Sequence, residues 1–187
     1  AMNIDLLFIM VGMDHFKDVN DTYGHHAGDL VLQQLSDILR IATRDTDTLI
    51  RWGGEEFLVV GRNVARHEAG QLAERIRAGI EEHPFEIGGG ETIQKTCSLG
   101  FTFYPFLPKG PDFLTWEAVV DLADHCLYVA KHNGRNAWVG LSPTLEASWE
   151  ALGTTPARKI NSLIKSGKVN VLTSLPASAK IDWDVRI

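Results

Sequence analysis

The sequence predicts an α+β sandwich of ferredoxin-like layout, with a mostly antiparallel central sheet flanked by helices. Three observations carry this reading. Residues 4–11 form a run apolar at every position but Asp5, the pattern of a central strand covered on both faces. Three later stretches repeat apolar residues at helical spacing. Between the first two of them, Gly53-Gly54-Glu55-Glu56-Phe57 interrupts two short strand-like runs as a hairpin does.

The elements follow in order. Residues 12–29 are dense in polar side chains and read as a long connection after the first strand. A helix over 27–43 sets Leu30, Val31, Leu35, Ile38, Leu39 and Ile41 on its apolar face, with Asp29 near the start, where a carboxylate suits the helix dipole. Strands over 48–52 and 58–60 flank the glycine pair. A second helix, 66–82, buries Leu72, Ile76 and Ile80. After Gly88-Gly89-Gly90, residues 92–104 read as one strand. The third helix, 115–132, presents Val119, Val120, Leu122, Ala123, Cys126, Leu127 and Ala130, and stops at Asn133-Gly134. A short strand over 136–139 completes the sheet.

From 141 the texture changes, with breaks at Ser142-Pro143, Gly153-Thr154-Thr155-Pro156 and Pro176-Ala177-Ser178 around a short helix (157–166) and a strand-like run (168–173). The chain therefore divides into a domain over 1–140 and a C-terminal extension over 141–187, read as an added layer or linker without chemistry.

Composition narrows the function classes. With 187 residues, 44% hydrophobic and 22% charged, the chain has enough material for one good core. A formal net charge of −6 argues against a nucleic-acid polymer or an anionic membrane as partner, so any phosphate ligand must meet local positive charge. Cys97 and Cys126 lack metal-type spacing and read as buried thiols of a reducing, cytoplasmic compartment. The apolar run Leu6 to Val11 is too short for direct membrane insertion. Ala1-Met2 reads as an addition ahead of the native chain, which makes this a piece of a larger protein.

Several residue groups can carry chemistry. A two-residue hairpin turn calls for positive φ, which glycine supplies, and Gly53 and Gly54 also leave a bare tip that a phosphate or base can approach. Successive strand side chains alternate faces, so one of Glu55 and Glu56 is expected to aim into a site. Asn20 and Asp29 offer the donors and acceptors that a purine edge requires, and equally suit a turn residue and a helix cap. Lys131 and Arg135, four residues apart around a helix terminus, suit either a triphosphate clamp or the helix dipole. His25 and His26 are adjacent and lack further ligands, so no zinc site is predicted.

Taken together, three motifs resemble the GGDEF family of diguanylate cyclases over about residues 4–140: Asp14-x-Phe16-Lys17-x-x-Asn20-Asp21-x-x-Gly24-His25-x-x-Gly28-Asp29, Arg51-Trp52-Gly53-Gly54-Glu55-Glu56-Phe57, and Ala130-Lys131-x-x-Gly134-Arg135-Asn136. The resemblance implies a polymerase-palm-like fold and condensation of two GTP into cyclic di-GMP with release of pyrophosphate. It implies Mg²⁺, with Mn²⁺ as the alternative, held by Glu55, Glu56 and the Met13 carbonyl. Glu56 is either that second ligand or the group that helps deprotonate the attacking 3′-hydroxyl.

By the same resemblance Asn20 and Asp29 read guanine, while Lys131, Arg135 and backbone N–H groups of His15, Phe16 and Lys17 hold the β- and γ-phosphates, beside Gly53 and Gly54. Each subunit holds one GTP, so catalysis needs a homodimer, brought together by an upstream sensor or receiver domain. Arg44-Asp45-Thr46-Asp47 matches the family's RxxD motif, implying an inhibitory cyclic di-GMP site at Arg44 and Asp47 with Arg75 on its second side.

One position departs. Where the family carries a metal-binding aspartate two residues before Asp14, this chain has Gly12. Disturbing even an outer partner of a metal ligand costs ~10- to 100-fold, so reduced activity is expected. The alternative is a degenerate module that binds GTP or cyclic di-GMP as a sensor without catalysis.

Overall fold

A computed structural model describes residues 5–107, 114–144, 147–148 and 156–183. Ala1-Met2 and the turn at Gly153-Thr154-Thr155 lie outside the described residues. In chain order the elements are β1 (Leu6–Met13), α1 (Phe16–Tyr23), α2 (His25–Ala42), β2 (Thr48–Arg51), β3 (Glu56–Arg62), α3 (Ala69–Glu82), β4 (Pro84–Gly88), β5 (Glu91–Gln94), β6 (Cys97–Tyr104), α4 (Trp116–His132), β7 (Trp138–Pro143), α5 (Pro156–Lys165) and β8 (Val169–Thr173).

The apolar run at the start of the chain becomes β1, at the interior of a six-stranded sheet ordered β2-β3-β1-β6-β7-β8. Only the β6–β7 pairing is parallel, so the sheet is mostly antiparallel, as predicted. Strand alternation sends Leu7, Ile9, Val11 and Met13 to the face covered by α2 and α3, with Val31, Leu35, Leu39, Leu72 and Ile76. Phe8 and Met10 point the other way, into a core with Val119, Ala123, Leu127 and Ile160 from α4 and α5. Each such side chain contributes about 1.5–3 kcal/mol on full burial, which explains why both faces of β1 are apolar.

The seating of α4 is what places the site. A Cβ on Gly100 of β6 would strike the Ala123 carbonyl oxygen and the Leu127 backbone nitrogen, so only glycine lets the helix backbone lie directly on the sheet. Thr115 caps the start of α4 by accepting from the Ala118 N–H at 3.3 Å. The helix ends at Asn133, followed by Gly134 at φ 112°, the stop that Asn133-Gly134 predicts.

Four expectations need correction. The connection over 12–29 contains the eight-residue helix α1, hidden in sequence because only Phe16 and Val19 are buried. The strand expected over 92–104 is two: β5 pairs with β4 in a separate two-stranded sheet, and β6 begins at Cys97. Phe85 and Ile87 alternate with exposed residues on β4, a half-buried pattern too short to stand out. Ile41, assigned to the apolar face of its helix, is 85% exposed because it lies about 200° round the helix from fully buried Leu39, on the side away from the core. The sheet also continues past 140, since β7 runs to Pro143 and β8 pairs with it from Val139↔Thr173 to Pro143↔Val169. Among the described residues no helix is long and apolar enough to cross a membrane.

Candidate functional site

The site lies where β1, the β2–β3 hairpin and the end of α4 meet. Gly12 stands directly opposite Glu56 in the β1–β3 register, and residues so paired share a face of the sheet. That face is the one α4 covers. The Glu56 carboxylate accepts from the Lys131 ammonium of α4 at 3.1 Å, with the two side chains 31% and 22% exposed. Gly12 leaves the tip of the Lys131 side chain room against β1. A Cβ at residue 12 would lie 2.9 Å from both Cε and Nζ of Lys131 and 3.4 Å from Cδ2 of Leu127.

The hairpin itself differs from the primed turn that the glycine pair suggests. Neither Gly53 nor Gly54 has a φ in the left-handed region, because the loop spans four residues between Arg51 and Glu56. It closes through the Glu56 carbonyl, which accepts from Trp52 N–H at 2.9 Å and Gly53 N–H at 3.2 Å. Arg51 braces the outside, donating to the Gly54 carbonyl at 3.2 and 2.8 Å. The bare tip does hold, since a Cβ at Gly54 would meet nothing within 4 Å. Glu55, the last loop residue, is half-buried, and its carbonyl accepts from the Met13 N–H at 3.4 Å.

Asn20 lies against Gly28, the chain neighbour of Asp29. A Cβ on Gly28 would collide with Oδ1 of Asn20, so α1 lies against α2 with the amide seated over the glycine and Asp29 next in chain. Asp29 also lines a cleft of about 610 Å³ with Arg40, Arg51 and Phe57, on the side of the hairpin. Its cap role falls away, because α2 begins four residues earlier at His25. His15 sits in the left-handed region (φ 54°) just before α1, with no side chain capping that helix. The first-turn N–H groups at Phe16 and Lys17 therefore lack intrahelical acceptors, the arrangement that attracts anions. Lys95 fixes the approach by donating to the His15 carbonyl at 3.1 Å, and burial pulls its ammonium pKa down. Sequence reasoning gave Lys95 no role, and no local pattern marks it.

The geometry agrees with what comparison of the whole chain shows. Residues 2–137 match the family model described as the diguanylate cyclase GGDEF domain. The chain belongs to the GGDEF family. Diguanylate cyclase A of Treponema denticola is 42% identical over 131 residues, which are 70% of this chain and 34% of that relative. Diguanylate cyclase DosC of Escherichia coli is 34% identical over 131 residues, 70% of this chain and 27% of that relative. The chain thus spans about a third or less of the length of these curated relatives.

Among solved structures, the active GGEEF domain of a diguanylate cyclase from Vibrio cholerae aligns at TM-score 0.62 and 34% identity, covering 71% of this chain and 80% of that one. The GGDEF domain of DgcB from Caulobacter crescentus, in complex with c-di-GMP, aligns at TM-score 0.63 and 27% identity, covering 71% and 75%. The palm-like α+β fold follows from these likenesses.

In this GGDEF domain the remaining expected residues fall into two places. Arg44, Asp47 and Arg75 line one small pocket of about 150 Å³ with Val64, Glu68, Gln71 and Leu72. Asp47 already accepts from the Arg44 N–H at 2.9 Å and the Arg62 N–H at 3.1 Å, and Arg75 donates to the Ala42 carbonyl at 2.7 Å. Arg135 lies beyond the end of α4 at φ 60°, exposed, its N–H donating to the Ala130 carbonyl at 3.1 Å.

The loop that carries Arg135 is anchored by two residues of the family motifs, Asp14 and Asn136. Asp14 is 2% exposed and accepts from Thr96 Oγ1 at 2.7 Å, Ser98 Oγ at 2.7 Å and the Asn136 N–H at 3.0 Å. Its carboxylate is thus committed to β6 and the β7 approach and is no replacement for the missing side chain at residue 12. Asn136 in turn accepts from Arg77 at 2.7 Å and donates to Glu81 at 2.7 Å. Arg77 also binds Glu74, whose carboxylate accepts from the Trp138 indole N–H at 2.8 Å.

Relatives in this family generally use divalent metal ions. The donors that the resemblance assigns are Glu55, Glu56 and the Met13 carbonyl, and among the described residues no three His, Cys, Asp or Glu side chains converge on one point. That set still fits Mg²⁺, a cation that commonly takes one or two carboxylates, keeps several waters and draws other oxygens from substrate phosphates.

Proposed function

We propose that this domain is a diguanylate cyclase that joins two GTP molecules into cyclic di-GMP with release of pyrophosphate, and that Gly12 makes it slow. The observation that carries this reading is the Glu56–Lys131 pair, 75 residues apart in sequence and 3.1 Å apart in space. It gathers the hairpin acid and a phosphate-binding cation at one end of the sheet.

In this reading Asn20 and Asp29 hold the guanine edge, and an ionised Asp29 accepts paired N–H groups. Lys131 and Arg135 hold the β- and γ-phosphates with the backbone N–H groups of His15, Phe16 and Lys17 at the start of α1. Gly53 and Gly54 leave room for the nucleotide to approach. Mg²⁺, or Mn²⁺ in its place, neutralises phosphate charge when held by Glu55, Glu56 and the Met13 carbonyl. Glu56 serves either as that second ligand or as the group that helps deprotonate the attacking 3′-hydroxyl. Phosphoryl transfer asks chiefly for such positioning and charge neutralisation.

Each domain supplies one GTP, so a homodimer is required, assembled in the cytoplasm by an upstream sensor or receiver domain. Arg44, Asp47 and Arg75 form the inhibitory site for cyclic di-GMP, with Arg44 stacking on and hydrogen-bonding guanine. Residues 1–140 carry the cyclase chemistry, and 141–187, whose β8 extends the same sheet, add none.

A second reading rests on Gly12. With no carboxylate there, and Lys131 on Glu56, the domain would bind GTP or cyclic di-GMP and signal through contacts alone. Cyclic di-GMP formation from GTP and Mg²⁺ at high protein concentration, for the wild type and Gly12→Asp, separates the two. Product from both, faster in the variant, supports the cyclase. Product from the variant alone supports the sensor, and product from neither, despite GTP binding, rejects the cyclase reading.

A further inference from the structure

We infer that Lys131 gates the divalent-cation site: without nucleotide its ammonium holds Glu56, and a cation gains that carboxylate only once a triphosphate draws the ammonium away. The inference rests on the reading above in one respect, that Lys131 contacts nucleotide phosphates.

The gate is built from three features. Lys131 Nζ lies 3.1 Å from Glu56 Oε1, in a pair whose side chains are mostly shielded from water. A shielded pair is screened less than a surface one, so its contact is harder to displace. The ammonium rests against the bare backbone of residue 12, where a Cβ would stand 2.9 Å from Nζ and oblige the flexible lysine tip to shift. Leu127 closes the side of the seat, its Cδ2 lying 3.4 Å from the same point.

Glu56 thus faces two cations and cannot serve both at full strength. A triphosphate offers Lys131 a richer set of oxygens than one carboxylate, so nucleotide binding releases Glu56 to the metal. By linkage, each ligand then raises the affinity of the other. Gly12 has two effects in this account: it removes a donor, and it seats the competitor for the donor that remains. An unliganded domain of this kind binds little metal, and its cation enters with or after the nucleotide.

Mn²⁺ binding, measured by electron paramagnetic resonance on nucleotide-free protein, tests this without reference to turnover. Lys131→Met is expected to tighten Mn²⁺ binding about tenfold, a factor equal to ~1.4 kcal/mol. Adding Glu56→Gln to that variant is expected to abolish the gain, which assigns it to this carboxylate. Gly12→Ala adds a methyl group and no ligand, unseats the ammonium, and is expected to tighten Mn²⁺ in the same direction. Unchanged or weaker Mn²⁺ binding in both single variants, with melting temperatures near the wild type, overturns the gate; should one variant unfold, the other decides.

A non-hydrolysable GTP analogue added to wild type without metal tests the underlying reading separately. If it does not bind, the assignment of the phosphates to Lys131 fails, and with it the opening step, while a gain in the variants still establishes the competition for Glu56.

Discussion

At the end of β1 a fixed polar cluster stands beside a loosely held one. Asp14 is buried and accepts three hydrogen bonds, from two hydroxyls of the Thr96–Ser98 segment and one backbone N–H at Asn136. Glu56 holds one partner, Lys131, and the residue facing it has no side chain. The first cluster is complete without any ligand, so it is scaffold. The second is a single ion pair, and either partner can exchange the other for a phosphate or a cation. Two acidic side chains at one end of the same sheet therefore do different work, and the difference lies in how fully each is already bonded.

The largest effect expected from this contrast is on stability at Asp14. Asp14→Ala strands two hydroxyls and an N–H in a shielded place, and hydrogen bonds to a charged group contribute about 1.5–3 kcal/mol each, so a net loss of ~3–5 kcal/mol is expected. For a chain of this size that lowers the melting temperature by about 10 °C or more in calorimetry. A fall of only a degree or two would mean that Asp14 is not the tie holding α4 and β7 to the sheet.

Gly12→Asp is expected to do the reverse, changing function more than fold. Its new Cβ meets only the flexible end of Lys131 and one leucine methyl, so the stability cost stays within ~1 kcal/mol. Product formation should rise by ~10- to 100-fold if the missing ligand limits the domain. A rate unchanged within twofold would place the limit elsewhere, and the contrast between scaffold and exchangeable site would no longer explain the activity.

Asp47 tests whether the two kinds of acid can coincide. Its carboxylate caps two backbone N–H groups and also lines the pocket proposed for cyclic di-GMP. Asp47→Ala should cost ~1–2 kcal/mol, as loss of a capping carboxylate does, whereas Arg44→Ala should leave the melting temperature unchanged. Both should weaken cyclic di-GMP binding in calorimetric titration. If only Asp47→Ala weakens it, the effect is structural and the pocket is not the product site.

Much of the fold was legible because the long elements announce themselves. β1 is apolar on both faces, and α2, α3 and α4 carry their buried residues at helical spacing. What stayed hidden was short or set by distant partners. α1 buries two residues, β4 and β5 form a sheet of their own, and the glycines at 53–54 adopt conformations fixed by a four-residue loop. Glu56 and Lys131 stood out by motif, but nothing local tells that one is bonded to the other. The bond from Asn136 to Asp14 spans 122 positions, and no window of sequence contains both.

The smallest effect sharpens the comparison from the scaffold side. Arg77, with a side chain only 15% exposed, joins Glu74, Glu81 and Asn136, and so ties α3 to the loop that carries Arg135. Its hydrogen bonds lower the pKa of both glutamates, and Glu74 in turn raises that of Arg77. A lowered carboxylate pKa stabilises the fold above the ordinary glutamate range, ~4.3, and the contribution is lost as pH falls through the folded-state values. Both glutamates are nearly half exposed, so water screens the network and its pH-dependent part amounts to no more than about 1 kcal/mol. The melting temperature of Arg77→Met should therefore trail the wild type by a constant small margin above pH ~5, and the margin should close below pH ~4. A margin that stays constant into acid would mean that Arg77 acts through packing and its bond to Asn136, with the glutamates as bystanders.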